Sequence, residues 1–151
     1  MIVSFEKSVG AVIFREESGK KLFLLLHYLS GHWDYVKGHV EGEETDEQTL
    51  RRETEEETGI KNIEILPGFK KEIKYYYRAK GSEREKRIKA KKGINVVKKV
   101  IFYVAKTGEK DIRLTEHVGY DWLDYESAIQ KITYKKSKEI LQKAAEFLDK
   151  K

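Results

Sequence analysis

The chain predicts a mixed α/β domain with helices packed on the faces of a sheet, and three observations carry that reading. Apolar β-branched runs, a capped acidic helix and a C-terminal helix with one apolar face follow in the order strands, helix, strands, helix. No internal repeat and no Pro- or Ser-rich linker divides the sequence. Its 151 residues suit a single domain, 1–151, long enough to bury a core.

Each element has its own signal. Ser8–Arg15 and Leu22–Leu29 are rich in β-branched and large apolar residues and are joined by the turn-like EESGK, which reads as a β-hairpin. Gly31–Val40 reads as a loop bearing His32, Trp33, Lys37, Gly38 and His39. Thr45 and Gln48 have capping-box spacing at the start of a helix that Gly59 ends. Ile63–Tyr77 and Ile94–Lys106 read as strands on either side of a basic insertion, residues 79–97, and His117–Leu123 as a further short strand. Ile140, Leu141, Ala144 and Leu148 form one face of the C-terminal helix.

Composition narrows the functional classes. The longest apolar runs, Leu22–Leu26 and Val100–Ala105, fall far short of the roughly 20 residues of a membrane span. The N-terminus has no basic region followed by an apolar one, so a cytoplasmic location is the default expectation. The absence of cysteine excludes disulfides and thiolate metal sites. The net charge of +5 is concentrated between Lys80 and Lys92, where seven basic residues face two acidic ones and account for the whole excess. That segment is rich in helix formers and reads first as a charged surface excursion.

The helix Thr45–Thr58 does not look like a core helix. Leu50 is almost its only large apolar side chain, and four of the five residues Glu53–Glu57 are glutamates. Glu53, Glu56 and Glu57 are related by three and four positions, so their carboxylates share one face at a repulsive cost. Such a cluster of hard oxygen ligands suits Mg²⁺ or Mn²⁺. A bare acidic run paired to Arg51 and Arg52 is ordinarily a solvated face, but this one sits in a fixed frame. Gly38–Ile60 reads G-x5-E-x7-R-E-U-x-E-E-x-G-U, where U is apolar, and resembles the signature of Nudix hydrolases. That resemblance implies an α-β-α sandwich and metal-dependent hydrolysis of nucleoside diphosphates linked to another group. Thr54 and Glu43 depart from the aliphatic residue and the glycine common in that signature.

Segments outside the signature are similar to one subfamily, the asymmetrical diadenosine tetraphosphate hydrolases: His32–Glu41, Gly68–Tyr75, Lys98–Lys106 and Leu114–Leu123. Val36 stands where that subfamily usually has proline before Lys37. The resemblance implies cleavage of diadenosine tetraphosphate to ATP and AMP. Metal ligands would be Glu53, Glu56, Glu57 and Glu116, holding two or three ions, with Arg52 orienting the carboxylates and Glu44 supporting the loop-to-helix geometry. The general base is Glu53 or Glu116. His32, Lys37, Gly38 and Lys98 would meet the phosphate bridge, and Tyr75 and Tyr120 would sandwich a base. Trp33 is expected near the pocket mouth, and Trp122 and Leu123 in the core. Two other readings stay open: a 5′-end RNA pyrophosphohydrolase, and a nucleotide- or RNA-binding module that uses Lys80–Lys92 without turnover. A monomer and a homodimer are equally compatible with the sequence.

Overall fold

The computed structural model describes residues 3–150; Met1, Ile2 and Lys151, the ends of the expected domain, lie outside them. The hairpin forms as expected from β1 (Val3–Glu17) and β2 (Lys20–His27). Its turn residues Ser18 and Gly19 have φ of 51° and 80°, the two-residue left-handed turn whose twist matches that of the strands. β1 starts earlier than its apolar run because Val3–Phe14 pairs in parallel with a central strand, β7 (Asn95–Lys106).

Gly31–Val40 is not a loop. It contains β3 (Trp33–Asp34) and β4 (Val36–His39), and β4 pairs antiparallel with Ser8–Ala11 of β1. The hairpin partner covers only Phe14–Glu17 of that β1 edge, so the backbone groups before them need another strand. β4 supplies it although its sequence, Val-Lys-Gly-His, lacks an apolar alternation. The expected strand Ile63–Tyr77 is likewise broken into β5 (Glu64–Ile65) and β6 (Lys71–Arg78). Between them Pro67 has no N–H to give a ladder, and Gly68 turns the chain with a φ of 99°.

Helix α1 (Asp46–Thr58) carries the complete capping box of Thr45 and Gln48 and ends at Gly59, whose φ is 79°. The basic insertion folds as α2 (Gly81–Lys89), and β8 (Gly119–Leu123) is followed by α3 (Tyr125–Lys131) and α4 (Lys135–Asp149). The eight strands form one mixed sheet with the path β3-β2-β1-β7-β5, to which β4, β6 and β8 add beside β1, β7 and β2. Among the described residues no helix is long and apolar enough to cross a membrane.

The sheet has a core on each face. Val12, Phe14, Leu25, Val100 and Phe102 pack with Ile140, Leu141, Ala144 and Leu148, the α4 face read from the sequence. On the other face Val9, Ala11, Ile13, Leu24 and Leu26 meet Leu50 of α1. Leu50 is fully buried, which contributes about 2 kcal/mol. The rest of the buried α1 face is Thr49, Thr54 and Thr58, side chains short enough to let the acidic helix lie close to the sheet.

Candidate active site

Arg52 organises the acidic helix. Its Nε and Nη2 donate to the two Glu44 oxygens at 2.7 and 2.9 Å, and its Nη1 donates to Glu53 at 2.8 Å and Glu56 at 3.2 Å. Nη2 also reaches the His39 carbonyl at 2.9 Å, which ties α1 to β4. Glu44 closes the loop before the helix by accepting from the Glu41 amide and the Thr49 hydroxyl. The Arg52 guanidinium, helped by the Glu41 amide, holds the Glu44 carboxyl down to about 2. Glu44 therefore fixes Arg52, and Arg52 fixes Glu53 and Glu56.

Glu53 is also held from the sheet side. Gly38 lies directly beneath it, and a Cβ on Gly38 would stand 2.0 Å from the Glu53 Cδ. Gly38, read as a phosphate-contact residue, thus sits on the α1 face as the gap that admits this carboxylate. Glu57 is turned inward: its Oε2 is buried without a hydrogen-bond partner. Burial, with the Glu53 and Glu116 carboxylates nearby, pushes its pKa up to about 8 against a bond from the Lys37 backbone. Glu116 reaches this group from a distant loop, where it is exposed.

A buried orphan oxygen among two further carboxylates fits a divalent cation. Among the described residues no three carboxylate or imidazole groups converge on a single point. Arg52 bonds Glu53 and Glu56, whereas Glu57 reaches the Lys37 backbone. This arrangement suits ions whose remaining positions are filled by phosphate oxygens and water rather than an all-protein cage.

Strand β4 connects the carboxylates to a cleft on the other face of the sheet. Lys37 is opposite Gly10 and Gly38 opposite Val9, so the neighbouring residues serve opposite faces. The cleft, about 1070 Å³, is lined by His32, Lys37, Tyr75, Lys98, Tyr134 and Lys136 among others. Four of the expected substrate residues, His32, Lys37, Tyr75 and Lys98, are therefore brought together. Burial and repulsion from Lys37 lower the Lys98 pKa, and burial lowers that of His32. Lys136 Nζ lies 5.2 Å from the Tyr75 ring centre. Tyr120 is placed elsewhere: it pairs with Leu26 on the α1 face, so it and Tyr75 are on opposite sides of the sheet. Trp33 does not line the cleft but stacks on His27 at 4.4 Å, with Lys131 Nζ 4.4 Å from its ring centre. Trp122 and Leu123, expected in the core, are partly buried and pack against one core each.

Three residues that the sequence did not single out hold the site together. Asp34 is fully buried and accepts from Lys37 Nζ at 3.2 Å and the Ser137 hydroxyl at 3.3 Å, so α4 orients the β4 lysine. The Tyr28 ring stacks on His32 at 4.4 Å, lies 5.8 Å from Lys37 Nζ and takes the His117 ring edge-on at 4.4 Å. Burial and then the Glu57 charge raise the Tyr28 pKa, so Tyr28 lies near the carboxylates as well as near His32 and Lys37. His117 has a buried, unpartnered Nδ1. Only a preference for aromatic residues near a phosphate cleft could have hinted at Tyr28. A second hollow of about 630 Å³, between Phe23 and Leu148, holds none of these groups.

Known proteins share this fold and sequence pattern. The NUDIX domain model matches residues 4–144. The bis(5′-nucleosyl)-tetraphosphatases [asymmetrical] of Mus musculus and Sus scrofa are 36% and 34% identical, in each case over 94% of this chain and 95% of theirs. The crystal structure of a C. elegans Ap4A hydrolase binary complex superposes with a TM-score of 0.78 at 32% identity, covering 97% of this chain and 99% of that one. Nudix hydrolases require a divalent cation, in keeping with the orphaned Glu57 oxygen. By sequence, fold and site, the chain belongs to the Nudix hydrolase family.

Proposed function

We propose that the chain hydrolyses the phosphoanhydride bridge of dinucleoside polyphosphates with Mg²⁺ as its cation, and that diadenosine tetraphosphate yields ATP and AMP. The observation that carries this reading is the buried, unpartnered Oε2 of Glu57, which strand β4 connects to a cleft lined by Lys37, Lys74, Lys98 and Lys136. The names of the most similar relatives support the substrate class. Glu53, Glu56, Glu57 and Glu116 would hold the cation. When bound, it activates a water and offsets charge on the leaving phosphate.

The remaining steps belong to the protein's own side chains. Lys37 and Lys98, with His32, take the bridge oxygens, and Asp34 aims Lys37 at them. Tyr75 supplies a ring for a base. Arg52 keeps Glu53 and Glu56 in place, and Gly38 leaves room for Glu53. The proton of the attacking water passes to Glu53 or to Glu116. Product chromatography of diadenosine tetraphosphate with Mg²⁺ tests the reading. Equal ATP and AMP, absent with chelator and with Glu57→Gln, is the expected result, and two ADP or no turnover refutes it.

One observation favours a second reading, removal of pyrophosphate from RNA 5′ ends: Lys80, Arg84, Lys86, Lys89, Lys91 and Lys92 are all exposed on α2 and its flanks. Release of pyrophosphate from 5′-triphosphorylated RNA, with no turnover of the dinucleotide, would replace the first reading by this one.

A further inference from the structure

The basic insertion does more than decorate the surface, because one of its carboxylates lines the substrate cleft. Among the described residues, Glu83 is the only acidic one lining the cleft, which otherwise includes four lysines. Its Oε2 accepts from the Tyr77 hydroxyl at 3.0 Å and from Arg87 Nε at 2.9 Å, so the position of the side chain is set from both sides, while among the described residues Oε1 has no hydrogen bond. Arg87 is buried and in turn bonds Glu6 and Ser4 of β1 and the Gly93 carbonyl, which pins α2 to the same sheet face as the cleft. The Arg87 bond also holds the Glu83 carboxyl below its ordinary pKa.

A carboxylate repels a phosphate chain, so this end of the cleft is not built for the bridge. It lies beyond the lysines that hold the bridge. Lys37 shares a sheet row with Phe102, and Tyr77 shares one with Val96, six residues away along β7. At roughly 3.3 Å per residue these rows are about 20 Å apart along the strand, with Lys98 between them, two residues short of the Tyr77 row. An extended polyphosphate with its far nucleoside spans that interval. Tyr77, two-fifths exposed, offers a ring beside the carboxylate.

We propose that α2 builds a subsite for the distal nucleoside, in which the base lies on Tyr77 and donates N–H groups to Glu83. An ionised carboxylate only accepts hydrogen bonds. Guanine, whose adjacent N1–H and N2–H turn only donors toward the open Oε1, is therefore favoured over adenine, whose amino group is flanked by ring nitrogens that repel it. Uracil is disfavoured because carbonyl oxygens flank its single N–H. The subsite rests on the hydrolase reading given above, and it explains what the insertion contributes to that reaction.

The test compares kcat/KM for Ap4G, Ap4A and Ap4U in the wild-type protein, Glu83→Gln and Glu83→Ala, with thermal melting to verify the fold. Taking the ratio between substrates within each protein cancels effects on the shared adenosine half. The wild type is expected to prefer Ap4G over Ap4U by at least about tenfold, the effect of one charged hydrogen bond. Both variants are expected to bring that ratio to within about threefold of unity. A wild type that turns over all three with equal kcat/KM, or variants that keep its ratio, overturns the subsite while leaving the hydrolase reading intact. No turnover of any substrate by the wild type overturns both.

Discussion

Replacing Gly38 by alanine should disable catalysis without unfolding the protein. The added Cβ would lie 2.0 Å from Cδ and 2.3 Å from Oε2 of Glu53, whereas real Cβ contacts are not closer than 3.0 Å, so the carboxylate must move by about 1 Å. Gly38 does not have a left-handed φ, so alanine meets no backbone obstacle there. A displacement of that size in a reacting group costs about 100-fold, equivalent to about 2.7 kcal/mol in the barrier. Stability nearly balances out. Alanine in a strand gains about 0.5–1 kcal/mol over glycine, which offsets much of the roughly 1.5 kcal/mol lost if the charged Arg52–Glu53 bond breaks. The melting temperature should stay within about 4 °C of wild type. Steady-state kinetics on diadenosine tetraphosphate should show the loss in kcat rather than KM. In a Glu53→Gln background the same substitution should cost little more, because both act on one group. A Gly38→Ala enzyme with kcat within threefold of wild type would refute the role assigned to Gly38.

Glu57 and Glu44 give pH predictions of opposite sign. The folded-state pKa of Glu57 is raised from 4.5 to about 8, so in chelator the stability should fall as pH rises across that window and level off above it. Glu57→Gln should flatten that decline in thermal melts while abolishing turnover; an unchanged slope would contradict the burial argument. For Glu44 the pKa is depressed from 4.5 to about 2, so its contribution is full above 4.5 and lost as pH falls through about 2. Melts of wild type and Glu44→Gln should therefore differ at neutral pH and converge near pH 2, and parallel curves would exclude the Arg52 pairing as the cause. Arg87→Ala removes bonds to Glu6, Glu83, Ser4 and Gly93, and a loss of about 2 kcal/mol should lower the melting temperature by about 5 °C. Hydrogen exchange should speed up first in α2, and equal acceleration across the sheet would argue against a local anchor.

The parts legible in the sequence were those whose signal is local. The capping box at Thr45, the left-handed stop at Gly59 and the four-residue face of α4 each depend on residues within a turn or two of one another. The parts that escaped depend on partners far along the chain. β4 is a strand because β1 offers it an edge, not because Val-Lys-Gly-His favours one. Tyr75 and Tyr120 suit a base sandwich by type, yet sheet register places them on opposite faces, and spacing in sequence carries no register between β6 and β8. Asp34 and Tyr28 escaped because Ser137 and His117, which the fold brings beside them, lie far along the chain.

Strand β4 shows why one site can draw on both faces of a sheet. Successive strand residues alternate sides, so the dipeptide Lys37-Gly38 sends a cation into the cleft and leaves a gap for Glu53 on the α1 side. Among the described residues β4 pairs only with β1, so its outer edge is free of a neighbouring strand. Beside that edge stands Tyr28, with His32 on one ring face and the Glu57 and Glu53 charges close by. A phosphate chain lying over the edge would meet lysines on one side and carboxylates on the other. On the function proposed above, the reacting bond belongs at the crossing point, where the Lys37 backbone bonds Glu57. The two-residue period of a strand thus places Lys37 on the cleft face and the first glycine of the signature on the carboxylate face.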